Sequence, residues 1–275
     1  MATGPDDLSC LQSDLMGGID TSTPNAARIR NYWLGGKDYF TVDQDTGDAF
    51  ALVYPEIFAL ARAERAFTAR AVRWMVTCAG VRQFLDVGTG LPADDHTHQV
   101  AQAAAADCRV VYVDNDAMVL NHCQALLTST PEGATGFIDA DLHDLDRILD
   151  QTGQLLDFTQ PIGLLFMGVL GHILDYCDAR DIVSRLLRAL PPGSYLALRD
   201  GTDINSAFAR AQDGYNASGA IPYVLRSPQR IAGFFTGLDL IDPGVVPLPH
   251  WRPDPSSRPA PAAADVFGGI GHKAR

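Results

Sequence analysis

From Arg82 onward the chain alternates between two kinds of segment. Short apolar runs of strand length at Gln83–Val87, Arg109–Val113, Thr135–Asp139, Ile162–Met167 and Ser194–Arg199 are separated by stretches with helical spacing. Those stretches are Thr97–Ala106, Asp116–Ser129, Leu142–Gln151 and Ala179–Ala189. Strands joined by helices in this way pair in parallel through right-handed crossovers, which leaves few folds open. Pro191-Pro192-Gly193 is a tight turn delivering the fifth strand. Helices at Ile204–Ala217 and Pro228–Thr236 follow, then strands around Asp239–Val246 and Val266–Gly271, with a Pro-rich surface loop at 249–261 between them. The fold class expected is α/β: a doubly wound, Rossmann-like sheet, mostly parallel, with an antiparallel terminal strand.

The first eighty residues are different. Residues 1–23 are small, polar and acidic and are expected to be disordered. Thr23 and Pro24 read as a helix start, with threonine as cap, for a helix over Asn25–Leu34 that Gly35-Gly36 ends. A second helix is predicted at Asp43–Val53. A long third one, Glu56–Ala79, carries Ile57, Leu60, Ala61, Phe67, Ala71, Trp74 and Met75 at helical spacing and stops at Gly80. The expected organisation is thus a tail (1–23), a helical cap (24–80) and an α/β core (81–275).

Bulk properties narrow the function. The 275 residues are 47% hydrophobic and 20% charged, and carry a formal net charge of -12, so a phosphate backbone is a poor partner. The start lacks a basic end followed by an apolar run, and the longest apolar segment, Ile162–Val169, has only strand length. The five scattered cysteines form no CxxC pair, which suggests reduced thiols in a cytoplasmic protein and no metal site.

The chemistry-bearing residues gather at strand ends, which face the ligand crevice in such a sheet. Asp86-Val87-Gly88-Thr89-Gly90 closes the first strand with a glycine turn that a ligand can approach closely. Asp114 closes the second and suits the two hydroxyls of a ribose, with Asn115 as competitor and Asp116 as cap of the following helix. Asp141 follows the third strand, where an acid can accept from an adenine amino group or cap a helix starting at Leu142. The fourth strand ends in Met167-Gly168-Val169-Leu170-Gly171-His172, which makes His172 a candidate base beside the topological switch point. A dinucleotide turn would continue G-x-G-x-x-G, but here Pro92 and Ala93 follow Gly90. That departure, and the position of Asp86, favour S-adenosylmethionine over NAD. The segment Arg28–Phe40 mixes aromatics, a glycine pair and cations. It either closes over an anionic or carboxylate ligand or is an amphipathic helix docked on the core with Arg28 and Arg30 solvated. Of the arginines on the third helix (Arg62, Arg65, Arg70, Arg73), Arg65 is expected to point inward.

These motifs together resemble a family of S-adenosylmethionine-dependent methyltransferases first classed as a domain of unknown function. The resemblance runs from Pro24 to Lys273. It is carried by Pro24-Asn25-Ala26-Ala27-Arg28-Ile29, Leu34-Gly35-Gly36-Lys37-Asp38, Arg65-Ala66-Phe67, the runs from Arg82 to Pro92 and from Val110 to Asp116, Pro192-Gly193-Ser194-Tyr195-Leu196 and Trp251-Arg252-Pro253. It implies the class I methyltransferase fold, S-adenosylmethionine as methyl donor (product S-adenosylhomocysteine) and a small-molecule methyl acceptor of unspecified identity. No nucleic acid or membrane partner is implied, and a homodimer is the one assembly allowed for.

The donor-binding set expected is Asp86, Gly88, Thr89, Gly90, Asp114, Asn115, Asp141, Leu142 and Met167, with Tyr32, Gly35, Gly36 and Arg65 from the cap. Tyr215 and Tyr223 are candidate walls of the acceptor pocket, and His172 and His98 are the candidate bases. The chain also departs from the family pattern. Ala93 replaces a threonine, Asp95 or His96 an asparagine, His98-Gln99 a His-Glu pair, Glu64 an asparagine and Arg199-Asp200 a Ser-His pair. These departures are expected around the crevice mouth. They leave a catalytically inactive S-adenosylmethionine- or S-adenosylhomocysteine-binding protein as the alternative, and an NAD-dependent oxidoreductase as a more distant one.

Overall fold

The computed structural model describes residues 19–92, 95–253 and 265–274. Three helices open it: α1 (Ala26–Trp33), α2 (Thr41–Val53) and α3 (Ile57–Thr77). The alternation follows as β1 (Gln83–Val87), α4 (Thr97–Ala104), β2 (Arg109–Asp114), α5 (Ala117–Leu126), β3 (Ala134–Asp139), α6 (Leu145–Thr152) and β4 (Ile162–Met167). A 3₁₀ turn (Val169–His172), α7 (Tyr176–Ala189) and β5 (Tyr195–Gly201) complete it. The chain closes with α8 (Ser206–Asn216), α9 (Pro228–Gly233), the short strands β6 (Asp239–Leu240) and β7 (Val246–Pro247), and β8 (Val266–His272).

The strands form one sheet in the order β3-β2-β1-β4-β5-β8-β6, with β7 also paired to β8. β1 to β5 pair in parallel, and β8 runs antiparallel to β5. The predicted alternation therefore gives the expected α/β architecture. The central strands are apolar throughout because helices cover both faces. Phe84, Val110, Tyr112 and Leu165 face Phe67, Val72 and Met75 of α3. Leu85, Val111, Leu164 and Phe166 face Ile148 of α6 and Ile182 and Leu186 of α7. Helices on both sides of residue 80 thus contribute to one core.

Several local expectations need correcting. Asn25, not Thr23, caps α1: its side chain accepts from the Ala27 and Arg28 amides. The Asn25 Nδ2 also donates to Asp116 at 2.7 Å, tying α1 to the end of β2. Residues 19–23 are held in place, because Arg28 donates to the carbonyls of Asp20 and Thr23; the expectation for 1–18 falls outside the described residues. The helix after β3 starts at Leu145 under an Asp144 cap, so Asp141 is not its cap. The late strand over Asp239–Val246 is two short strands with a break between them. The 249–261 segment is no surface loop at its start: Trp251 is fully buried against Phe67, with ring centroids 5.5 Å apart. Arg70 holds that turn by donating to the carbonyls of Leu248 and Trp251; the segment beyond residue 253 falls outside the described residues. Among the described residues no helix is long and apolar enough to cross a membrane.

Candidate functional site

The chain reverses direction across the sheet between β1 and β4, so loops at the carboxyl ends of these strands part and leave a crevice. A cavity of about 610 Å³ lies there, within the roughly 300–1,000 Å³ typical of small-molecule sites. One half is built by the ends of β1, β2 and β3. Gly88 and Gly90 have φ of +74° and +67°, a region that side chains disfavour. A Cβ on Gly88 would also run into Val169. Asp114 braces this turn: its Oδ2 accepts the Gly90 amide and its Oδ1 the Asp116 amide, both at 3.0 Å. Asn115 donates to Asp141 at 3.3 Å, and Asp141 also accepts from the backbone and ring of His143, both at 2.8 Å. His143 in turn reaches Asp178 at 3.0 Å. The His143 bonds hold Asp141 below the ordinary carboxylate range.

Arg65 and Asp86 line the inner wall together. Burial pushes Asp86 up to about 6, against a 2.6 Å hydrogen bond from Thr97 and the nearby Arg65 charge. Burial likewise lowers Arg65 from its ordinary value.

The other half lies under the ends of β4 and β5 and is roofed by α1, α2, α3 and α8. Trp33, Phe50 and Phe208 form an aromatic chain with centroid spacings of 5.0 and 5.9 Å. Tyr215, Tyr223 and His172 line the same space. His172 packs edge-on to Tyr223 at 5.1 Å, and its Nδ1 lies 3.0 Å from the Pro222 carbonyl. A carbonyl only accepts, so Nδ1 carries the proton and the neutral ring keeps Nε2 as an acceptor. Burial lowers the His172 pKa. Below these groups Glu64 of α3 sits between Arg30 of α1 and Arg199 of β5, the latter at 2.9 Å. Burial works against the Glu64 carboxylate, but the Arg199 and Arg30 charges outweigh it and hold its pKa below the ordinary value. Behind them Asp200 is buried with Arg226 at 2.7 Å and accepts from the Tyr223 hydroxyl.

Residues 13–274 match the model of the S-adenosyl methyltransferase family. The chain belongs to that family. A DUF574 family protein from Streptomyces avermitilis is 40% identical with a TM-score of 0.87, over 92% of this chain and 99% of that one. A Thermobifida fusca protein described as a candidate methyltransferase is 35% identical with a TM-score of 0.85, over 94% and 98%. The plantazolicin methyltransferase BpumL shares the fold alone, at 11% identity and a TM-score of 0.50 over 90% and 96% of the two chains. No curated protein matches.

The residues of this methyltransferase fit the donor its family uses. Asp114 has acceptor capacity left on both oxygens, the glycine turn opens into the cavity, and the Thr89 hydroxyl in its wall is buried with no partner among the described residues. Asp86 and Arg65 offer opposite charges for an amino acid's ammonium and carboxylate. Gly88, Thr89, Gly90, Asp114, Asn115, Asp141, Leu142, Met167, Arg65 and His172 all line the cavity. Tyr32, Gly35 and Gly36 do not. The Tyr32 hydroxyl donates to Asp48, Gly35 turns the chain at the end of α1, and Gly36 packs on Asn31.

His98 is also misplaced by the sequence reading. It is buried with Nδ1 2.9 Å from the Tyr112 hydroxyl and does not line the cavity. Arg28 is not solvated but pairs with buried Asp43 at 2.7 Å, and Arg30, partly exposed, pairs with Glu64. Nor do the departures Glu64 and Arg199 sit at the mouth. They are buried and bonded to each other across the cavity floor, while Ala93 falls outside the described residues. Sequence reasoning missed His143, Trp33, Phe50, Phe208 and Gln212 as cavity residues. His143 sits in the turn after β3, and the signal of the other four was only an aromatic or polar residue on an amphipathic helix, which packing residues share.

Proposed function

We propose that this chain methylates a small-molecule acceptor, with the donor held under β1 to β3 and the acceptor under β4 and β5. The observation that carries the reading is Asp114, which braces the glycine turn while facing the cavity. S-adenosylmethionine supplies a methyl group on a sulfonium, already activated for transfer to a lone pair. The protein's work is then positioning and exclusion of water. Asp114 would accept from the ribose hydroxyls and Asp141, with Asn115, would meet the adenine edge. Asp86 and Arg65 would hold the amino-acid end. His172 Nε2 would take the proton that a hydroxyl or amine acceptor must lose. The apolar roof of α1, α2 and α8 excludes water from the acceptor half.

Titration calorimetry with S-adenosylmethionine, S-adenosylhomocysteine and NAD tests the donor. Micromolar affinity for the first two and none for NAD is expected; NAD binding without binding of either sulfur compound overturns the reading. Turnover with any acceptor, followed as donor consumption, separates an enzyme from a binding protein.

A further inference from the structure

The acceptor half of the cavity has a built-in charge imbalance. Its ionisable wall consists of Arg30, Glu64 and Arg199, two guanidiniums on one carboxylate. The neighbouring Asp200 does not correct the sum, because Arg226 and the Tyr223 hydroxyl already occupy it. Arg199 is 4% exposed and Glu64 8%. With Glu64 and Arg199 balancing each other, the surplus charge is that of Arg30, whose side chain keeps 29% exposure, and it draws an anion toward the cavity.

The same wall has unused hydrogen-bonding capacity. Arg199 Nε and the hydroxyl of Tyr215, a residue only 6% exposed, are buried without a partner among the described residues. A guanidinium is a rigid fork that matches a carboxylate in two-point contact. Around it the walls are flat and apolar: Trp33, Phe50 and Phe208 on one side, Tyr223 on the other. The Arg199 guanidinium lies against Gly168, where a Cβ would come 2.8 Å from Nη1, and His172 closes the 3₁₀ turn that starts at the next residue.

Resting on the donor reading above, we infer that the methyl acceptor is a planar aromatic acid. Its ring lies between the aromatic walls, its carboxylate sits on Arg199 and Arg30, and its nucleophilic oxygen or nitrogen points at His172. The acceptor's lone pair forms the new bond to the methyl carbon, the carbon–sulfur bond breaks with its electrons going to sulfur, and the acceptor's proton passes to His172 Nε2. A neutral or cationic acceptor would leave the surplus positive charge unpaired and the buried Arg199 Nε without an acceptor. The donor's own carboxylate is served by Arg65 beside Asp86, whereas Arg199 springs from β5, two strands from β1, a backbone separation of about 10 Å.

The test uses full-length protein saturated with S-adenosylhomocysteine and three matched probes: 4-hydroxybenzoate, 4-hydroxybenzamide and 4-hydroxybenzylamine. Calorimetry should find the carboxylate bound at least about tenfold more tightly than the amide, and the amine no better than the amide. Arg199→Gln should erase the carboxylate preference and leave affinity for S-adenosylhomocysteine within about twofold. Arg30→Gln, which leaves Glu64 and Arg199 as a neutral pair, should likewise weaken the carboxylate preference if Arg199→Gln folds poorly. A carboxylate that binds no better than its amide, including no binding by either, overturns the inference and leaves the donor reading intact. A loss of product affinity in Arg199→Gln as large as the loss of probe affinity assigns Arg199 to the donor and also overturns it. A wild-type protein that does not bind S-adenosylhomocysteine refutes the donor reading and this inference together.

Discussion

Asp114 ends β2 with both carboxylate oxygens engaged by backbone amides, Gly90 on Oδ2 and Asp116 on Oδ1, each at 3.0 Å. An ionised carboxylate offers roughly four acceptor positions, so about one per oxygen remains for the two ribose hydroxyls. A buried hydrogen bond contributes about 0.5–1.5 kcal/mol net, so Asp114→Ala should cost about 1–3 kcal/mol of donor affinity for the pair. That corresponds to a dissociation constant about 5- to 150-fold weaker. The substitution also frees the Gly90 and Asp116 amides and will loosen the turn, so a loss of affinity alone does not prove direct contact. A ligand-side deletion separates the two effects. Calorimetry with S-adenosylhomocysteine and its 2′- and 3′-deoxy analogues should show a deoxy penalty in the wild type that disappears in Asp114→Ala, because the partner is already gone. Wild-type affinity in the variant, or an undiminished deoxy penalty, would refute the assignment of Asp114 to the ribose.

Other outcomes follow from the charged groups. With Asp86 raised to about 6 in the ligand-free protein, a donor ammonium meets a charged carboxylate only above that pH. Affinity for S-adenosylmethionine should be level above about pH 6 and fall by up to about tenfold per unit below it, a slope that Asp86→Asn should abolish. The same shift has the opposite sign for folding: a carboxyl whose folded pKa lies above its ordinary 3.8 contributes fully below that value, and the contribution is lost as pH rises through about 6. Thermal melts of ligand-free wild type and Asp86→Asn across this window check it. Arg226→Met should cost about 3–5 kcal/mol in denaturant unfolding by stranding buried Asp200, with part regained in Asp200→Asn/Arg226→Met; an unchanged midpoint would contradict the pairing. His172→Asn should leave product affinity unchanged and reduce turnover by about 10²–10⁴-fold once an acceptor is in hand, and undiminished turnover would remove it as the base.

What could be read from the chain one segment at a time was read correctly where local rules suffice. Strand positions follow from apolar runs of fixed length. The bend at Gly88 and Gly90 follows from the φ values only glycine adopts freely, and Asp114 falls at a strand end whose position in the crevice follows from parallel pairing. Cap residues were less legible, since Thr23, Asn25, Asp141 and Asp144 all have side chains able to cap a helix and only the geometry of the first turn selects among them.

His98 and His172 mark the boundary between the two sources of information. His98 stands in the polar run Asp95-His96-Thr97-His98-Gln99 and His172 ends an apolar one, yet the first is buried against Tyr112 and the second faces the cavity. Local polarity does not report their placement, because exposure to a cavity depends on which helix covers which face of the sheet. Local rules account for the cavity half proposed for the nucleoside, where strand, turn and acid lie within one βαβ unit. Only long-range packing assembles the half proposed for the acceptor: Arg30, Glu64 and Arg199 come from two helices and a strand. Their shared charge is a product of long-range packing, which no local period records.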